Sequence, residues 1–191
     1  MSLIDLLPNG ADSSNYQANG LGNNFMVNGV LMAGKEQKID YVIAAMQENN
    51  CFHYVSDGSW CTHDFLIKAM ALFAQPVEVY ITTYSMTEFS ARVLAGFVHD
   101  KRISNLQILM DTKSFTRYPA VHQLINNISR LKLTPLHAKV LVMMNNEKAI
   151  TLMSSSNWTK NPKIEVGEVS QSRALAEFHV DWITNKMNSI K

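Results

Sequence analysis

His137 and Lys139 are the two residues of this chain whose types and spacing best suit chemistry. They stand in Leu136-His137-Ala138-Lys139, at the mouth of an apolar run ending at Met144 that reads as a strand. Side chains two apart on an extended chain point to the same side, so the imidazole and the ammonium project together from one sheet face. A polar turn over residues 145–148 and a second apolar run over 149–153 then bring the chain back. This hairpin delivers Ser154-Ser-Ser-Asn157-Trp-Thr159 beside the start of the first strand. A nucleophile, a cation and small hydrogen-bond donors therefore converge at one sheet end. That set suits a phosphate ester, whose non-bridging oxygens need positive charge and donors while phosphorus is attacked.

Other catalytic signatures are absent. The chain has no glycine-rich phosphate loop ending in Lys-Ser/Thr, no Gly-x-Ser-x-Gly elbow and no His-Glu-x-x-His zinc helix. The remaining histidines, His53, His63, His99, His122 and His179, read as structural or solvated. His63 lies next to Asp64 and near Cys61, but these supply too few ligands at useful spacing for a metal. Cys51 and Cys61 alone make neither a disulfide framework nor a four-ligand zinc site.

The elements that must position these residues follow from pattern. Residues 1–35 are rich in Gly and Asn and carry only three formal charges, which reads as an extended arm, with a strand over residues 25–31 as the other option. Residues 36–191 read as a single domain. Ile39, Val42, Ile43 and Met46 share one helix face, and residues 52–55 form a short strand. Thr62 caps a helix with the stripe Leu66, Ala69, Met70 and Phe73, stopped by Pro76. Residues 77–83 are β-branched and aromatic, hence a strand. Ser85 and Glu88 are spaced as a capping box for a helix running to about Asp100. Residues 106–110 form a strand, and Val121, Leu124, Ile125, Ile128 and Leu131 a helix. Strands over 139–144 and 149–153 form the hairpin, and a last helix carries Leu175, Phe178, Trp182 and Met187. The alternation predicts an α/β fold, a mixed β-sheet with helices on both faces.

Composition narrows the function class. A net charge of +1, from 17 basic and 16 acidic residues, excludes a chain-wide basic coat. No apolar run reaches the length of a membrane span, and the N-terminus lacks a signal-peptide pattern, so a cytoplasmic location and no membrane partner are expected.

His137-Ala-Lys139, then about fifteen residues, then Ser155-Ser-Asn157, resembles the His-x-Lys and Gly-Ser-x-Asn motifs of the phospholipase D superfamily. Trp158-Thr159 and Glu165-Val-Gly167 resemble segments common in its nuclease-like members, and the strand over 79–83 followed by Tyr84-Ser85 is similar to the one leading into the first helix of such domains. The resemblance spans about Phe52 to Val169. It departs from the family pattern at three points, one of them a hairpin about three residues longer. The family's Asp falls in a slot near Met144, where Asn145 and Asn146 are the nearest polar residues, and Ser154 stands where the family has Gly.

The resemblance implies a phospholipase D-like catalytic domain that uses two His-Lys motifs. This chain has one and no internal repeat, which implies a homodimer with a shared site. The implied reaction is metal-independent and needs no cofactor: one His137 attacks phosphorus to give a phosphohistidine, and the other donates a proton to the leaving alkoxide. Lys139 and Asn157 would hold the non-bridging oxygens with support from Ser155, and Glu165, with Glu168 in reserve, would orient the imidazole. Small one-motif members favour nucleic acid as substrate, so the expected activity is a DNA or RNA nuclease. The alternatives are a degenerate phosphate- or nucleic-acid-binding module and a lipid-directed phospholipase, and a protein partner would be a further source of specificity. Lys113, Arg117, Arg130, Lys132, Lys160 and Lys163 are candidates for a basic rim, and Phe115, Tyr118 and Trp158 for stacking on bases.

Overall fold

A computed structural model of the chain describes residues 27–31, 39, 40, 42, 43, 51–56, 58 and 60–190. The remainder of the N-terminal arm, and the end of the first expected helix with Met46, lie outside the described residues. Among the described residues eight strands form one mixed sheet: β1 (Val27–Leu31), β2 (Cys51–Ser56), β3 (Val77–Thr83), β4 (Ile103–Asp111), β5 (Arg130–Thr134), β6 (Val140–Met144), β7 (Ala149–Ser154) and β8 (Glu165–Ser170). Their spatial order is β1-β2-β8-β7-β6-β3-β4-β5. Pairings β1–β2, β3–β4 and β4–β5 are parallel. Pairings β2–β8, β3–β6, β6–β7 and β7–β8 are antiparallel. The helices are α1 (Thr62–Ala69), α2 (Glu88–His99), α3 (Thr112–Arg117), α4 (Pro119–Ile128) and α5 (Arg173–Ser189), with a short 3-10 turn at Met70–Leu72 after α1.

The helices divide between the two faces, as the α/β pattern predicts. Phe65, Leu66, Leu94, Val121 and Ile125 of α1, α2 and α4 share one core with Val79, Ile81, Ile108 and Leu141. Ile39 and Val42 are buried in that core. On the other face, Ala176, Ile183 and Met187 of α5 pack on Tyr80, Leu109, Val140 and Val142. Both faces of the central strands are therefore covered, which is why β3 and β6 are apolar almost throughout.

Several local readings require correction. Residues 27–31 of the arm are a strand paired with β2, the other of the two options. The cap of α1 is Cys61, whose backbone N–H donates to Asp64 Oδ2 at 3.0 Å, and Thr62 is the first helical residue. The cap of α2 is Thr87, which accepts from Ser90 N at 3.2 Å, so the Ser85/Glu88 box does not form. Leu131 continues the apolar spacing of α4 but belongs to β5. In α5 the buried stripe is Ala176, His179, Ile183 and Met187, while Phe178 is 61% exposed. Among the described residues no helix is long and apolar enough to cross a membrane.

Candidate active site

Register places the motif residues at one end of the sheet. β3 and β4 end there, β6 and β8 begin there, and β7 ends there, because Thr82 pairs with Val140, Val140 with Met153, and Ser154 with Gly167. His137 and Lys139 lie in the extended segment just before β6. Lys139 Nζ donates to the His137 carbonyl at 2.9 Å and lies 3.4 Å from His137 Nδ1. The His137 ring is exposed and stands 6.2 Å from that of Tyr84. Ser154 N donates to Lys139 O at 3.1 Å, which sets the serine run directly beside the lysine.

Ser155 is held on both sides by β8. Its amide donates to Val166 O at 2.8 Å, and its hydroxyl accepts from Val166 N at 3.0 Å while donating to the Glu165 carboxylate. Asn161 Nδ2 is a second donor to Glu165, at 3.4 Å. Glu165 is buried, and its charge favours the protonated form of Lys139, against the larger effect of burial, which lowers the Lys139 pKa. Asn157 Oδ1 lies 3.4 Å from the Thr83 hydroxyl, which is also 2.9 Å from Ser85 O. His137, Lys139, Ser155, Asn157 and Glu165 thus surround one sheet end. Within the protomer Glu165 hydrogen-bonds Ser155 and Asn161, and no hydrogen bond joins it to His137 among the described residues.

Strand alternation separates the two candidate carboxylates. Glu165 and Gly167 point to the α1/α2 side, and Glu168 to the α5 side, where it meets His53 at 3.5 Å. Glu168 therefore projects from the opposite face of β8 to Glu165. Gly167 is needed for a steric reason: a Cβ there would lie 2.4 Å from the Tyr54 ring and 2.6 Å from Met153 O. Tyr54 in turn donates to Ser154 Oγ at 3.0 Å, and Ser154 Oγ accepts from Ser156 N at 2.9 Å. That hydroxyl shapes the turn into the serine run.

Three supporting residues escaped the sequence reading. Asp111 caps α3 by accepting from Lys113 N at 2.8 Å, and its other oxygen accepts from Leu136 N at 2.8 Å, which anchors the residue before His137. Its signal was legible as an Asp at the end of an apolar strand, two residues before a helix position. Thr82 Oγ1 accepts from Val140 N at 3.0 Å. Ser90 donates to Trp158 O at 2.8 Å, tying the motif loop to the start of α2.

The expected periphery divides. Trp158 is 1% exposed and packs in the core, so it is not a stacking platform. Phe115 and Tyr118 stay exposed, Phe115 meeting His122 edge-on at 5.3 Å. Lys113, Arg117, Lys160 and Lys163 are exposed. Arg130 and Lys132 instead reach the end of α5, bonding Asn188 Oδ1 at 2.7 Å and Ile190 O at 3.0 Å.

Comparison with solved structures identifies the architecture. A phospholipase D family member, Nuc, from Salmonella typhimurium superposes with a TM-score of 0.54 over 74% of this chain and 96% of that one, at 18% identity. The chain has the phospholipase D fold. Polyphosphate kinase from Porphyromonas gingivalis shares it, with a TM-score of 0.52 and 14% identity over 74% of this chain, which spans only 26% of the kinase. No protein-family model matches the chain, and no curated protein matches it.

Proposed function

We propose that this chain is a metal-independent phosphodiesterase, a nuclease of DNA or RNA, working through a phosphohistidine at a site shared by two subunits. The observation that carries the reading is the convergence of His137, Lys139, Ser155, Asn157 and Glu165 on one end of a phospholipase D fold. In the first step His137 forms a P–N bond as the P–O bond to the leaving group breaks, and the partner's His137 gives its proton to that alkoxide. That second histidine, now neutral, takes a proton from water as the water oxygen attacks phosphorus and releases His137. The two imidazoles need opposite protonation states at the start. Lys139 and the Asn157 amide offset charge on the non-bridging oxygens, in the place a metal would otherwise take. Ser155 supports that set.

Two features support a second subunit. A single histidine stands exposed at the site, and Ile164 and Val166, which flank buried Glu165, are exposed apolar residues at its rim. Among the described residues Glu165 bonds no imidazole, so its orienting role would be exercised in the assembled site. Lys113, Arg117, Lys160 and Lys163 would engage phosphates, making binding sensitive to salt.

The test is cleavage of single- and double-stranded DNA and of RNA in excess chelator, wild type beside His137→Ala, with mass by light scattering. Chelator-resistant cutting by a dimer, lost in the variant, is the expected result. Binding without cutting by the wild type would select the degenerate binding module. Cutting that survives in the variant would place the chemistry elsewhere.

A further inference from the structure

We propose that Cys51, His53 and Glu168 form a zinc-binding centre on the α5-covered side of the sheet, apart from the phosphodiesterase residues. The ladder itself assembles all three. Cys51 and His53 alternate on one face of β2, and His53 is registered opposite Glu168 on β8. The sulfur of Cys51, a ring nitrogen of His53 and a carboxylate oxygen of Glu168 all lie within 4.8 Å of one another. His53 Nε2 and Glu168 Oε2 are 3.5 Å apart. A tetrahedral zinc with bonds of about 2.0–2.1 Å to nitrogen and oxygen sets its ligand atoms about 3.3–3.4 Å apart, so this edge is already formed.

Three protein ligands leave the fourth tetrahedral position to water. Buried His179 does not fill it: its Nδ1 accepts from Trp182 Nε1 at 2.9 Å, so the neutral ring carries its proton on Nε2, the nitrogen a metal would need. One thiolate, one imidazole and one carboxylate are a ligand set for zinc or cobalt and not for magnesium or calcium. Binding displaces the Cys51 proton.

The other sulfur-containing trio does not meet this geometry. Cys61 Sγ and His63 Nδ1 are 2.8 Å apart, a hydrogen-bond distance, whereas a thiolate and an imidazole on one tetrahedral zinc are about 3.5–3.6 Å apart. Asp64 there accepts from Cys61 N at 3.0 Å and Ser90 Oγ is 2.9 Å from His63 Nδ1, so these groups are occupied by the start of α1. The proposed centre would clamp β2 to β8. Because the β2–β8 ladder already places its sheet ligands, it would stabilise the fold without being needed for chelator-resistant cleavage.

The experiment is a titration of the chelator-treated, desalted full chain with Co2+ alone, followed by absorbance, with Cys51→Ser, His53→Ala and Cys61→Ser alongside. The expected result is a thiolate-to-cobalt charge-transfer band saturating at one Co2+ per chain and displaced by Zn2+. It should be lost in Cys51→Ser, retained in Cys61→Ser, and shifted at least about tenfold to higher Co2+ in His53→Ala, an exposed position whose truncation leaves the core intact. Zn2+ should raise the melting temperature of the wild type and not of Cys51→Ser. Absence of the band in folded wild type, a band that follows Cys61, or saturation at one metal per two chains would each overturn the proposal.

Discussion

Replacing Gly167 by alanine tests the packing that supports the motif turn. The backbone at Gly167 is ordinary strand, so the effect is purely steric. The new methyl would sit 2.4 Å from the Tyr54 ring and hydroxyl and 2.6 Å from Met153 O. The ring has no retreat, since Trp60 lies behind it with centroids 4.7 Å apart. Overpacking of this kind costs about 1–3 kcal/mol. Displacing Tyr54 also breaks its 3.0 Å bond to Ser154 Oγ, for about another 0.5–1.5 kcal/mol. The sum, about 1.5–4.5 kcal/mol, lowers the melting temperature of a domain this size by about 3–18 °C. Urea denaturation at neutral pH measures it, with Tyr54→Phe as the reference that loses the hydrogen bond alone, about 1 kcal/mol. Combining Gly167→Ala with Tyr54→Leu should cost less than the sum of the singles, because the ring is then gone. A Gly167→Ala protein within about 0.5 kcal/mol of wild type would refute the reasoning, because the strands would then have room that the structure denies them.

Asp111→Ala should cost about 2–4 kcal/mol, from a lost helix cap and a Leu136 N–H left without its acceptor, and should depress cleavage beyond what the stability loss explains. Asp111→Asn should recover part of both, and equal stability of the two variants would count against the dual role. Thr83→Val should cost about 1 kcal/mol and lower turnover by freeing Asn157, with no change in turnover as the contrary result. Burial lowers the pKa of His63, whose neighbours are Asp64 and Lys160, and of His122 below 6.5. The unfolded chain then takes up protons first as pH falls through 6.5, so stability present above that value is lost in acid. The urea midpoint should be lower at about pH 5.5 than at about pH 7.5, and a flat profile would contradict the buried, neutral imidazoles.

Pattern alone reveals elements whose side chains face one environment. β3 and the β6–β7 hairpin are apolar on both faces and stand out at once, and with them the pairing of Lys139 with Ser154 that builds the candidate site. β8 is opaque for the opposite reason: Glu165, Gly167 and Glu168 serve Ser155, Tyr54 and His53, so its composition reports neighbours and not strand propensity. β5 hides because Leu131 falls three residues after Ile128 and prolongs a helical spacing across a boundary that only the sheet decides. Caps move by one or two residues where several hydroxyls compete, as with Ser85 and Thr87. Glu165 and Glu168 are three apart in sequence, and only their assignment to a strand puts them on opposite faces.

The strand order carries a consequence for how the chain is made. β2 and β3 are consecutive in sequence but are separated in the sheet by β8, β7 and β6. During synthesis from the N-terminus, β3 gains β4 and then β5 on one side while its other edge stays open until residues 140–144 emerge, and β2 waits for residues 165–170. Until those residues emerge, the nascent chain exposes two unsatisfied strand edges, one of them nearly all apolar. Chains that stop short of Ser170 leave the β2 edge without its full β8 partner, a ready template for pairing with another chain.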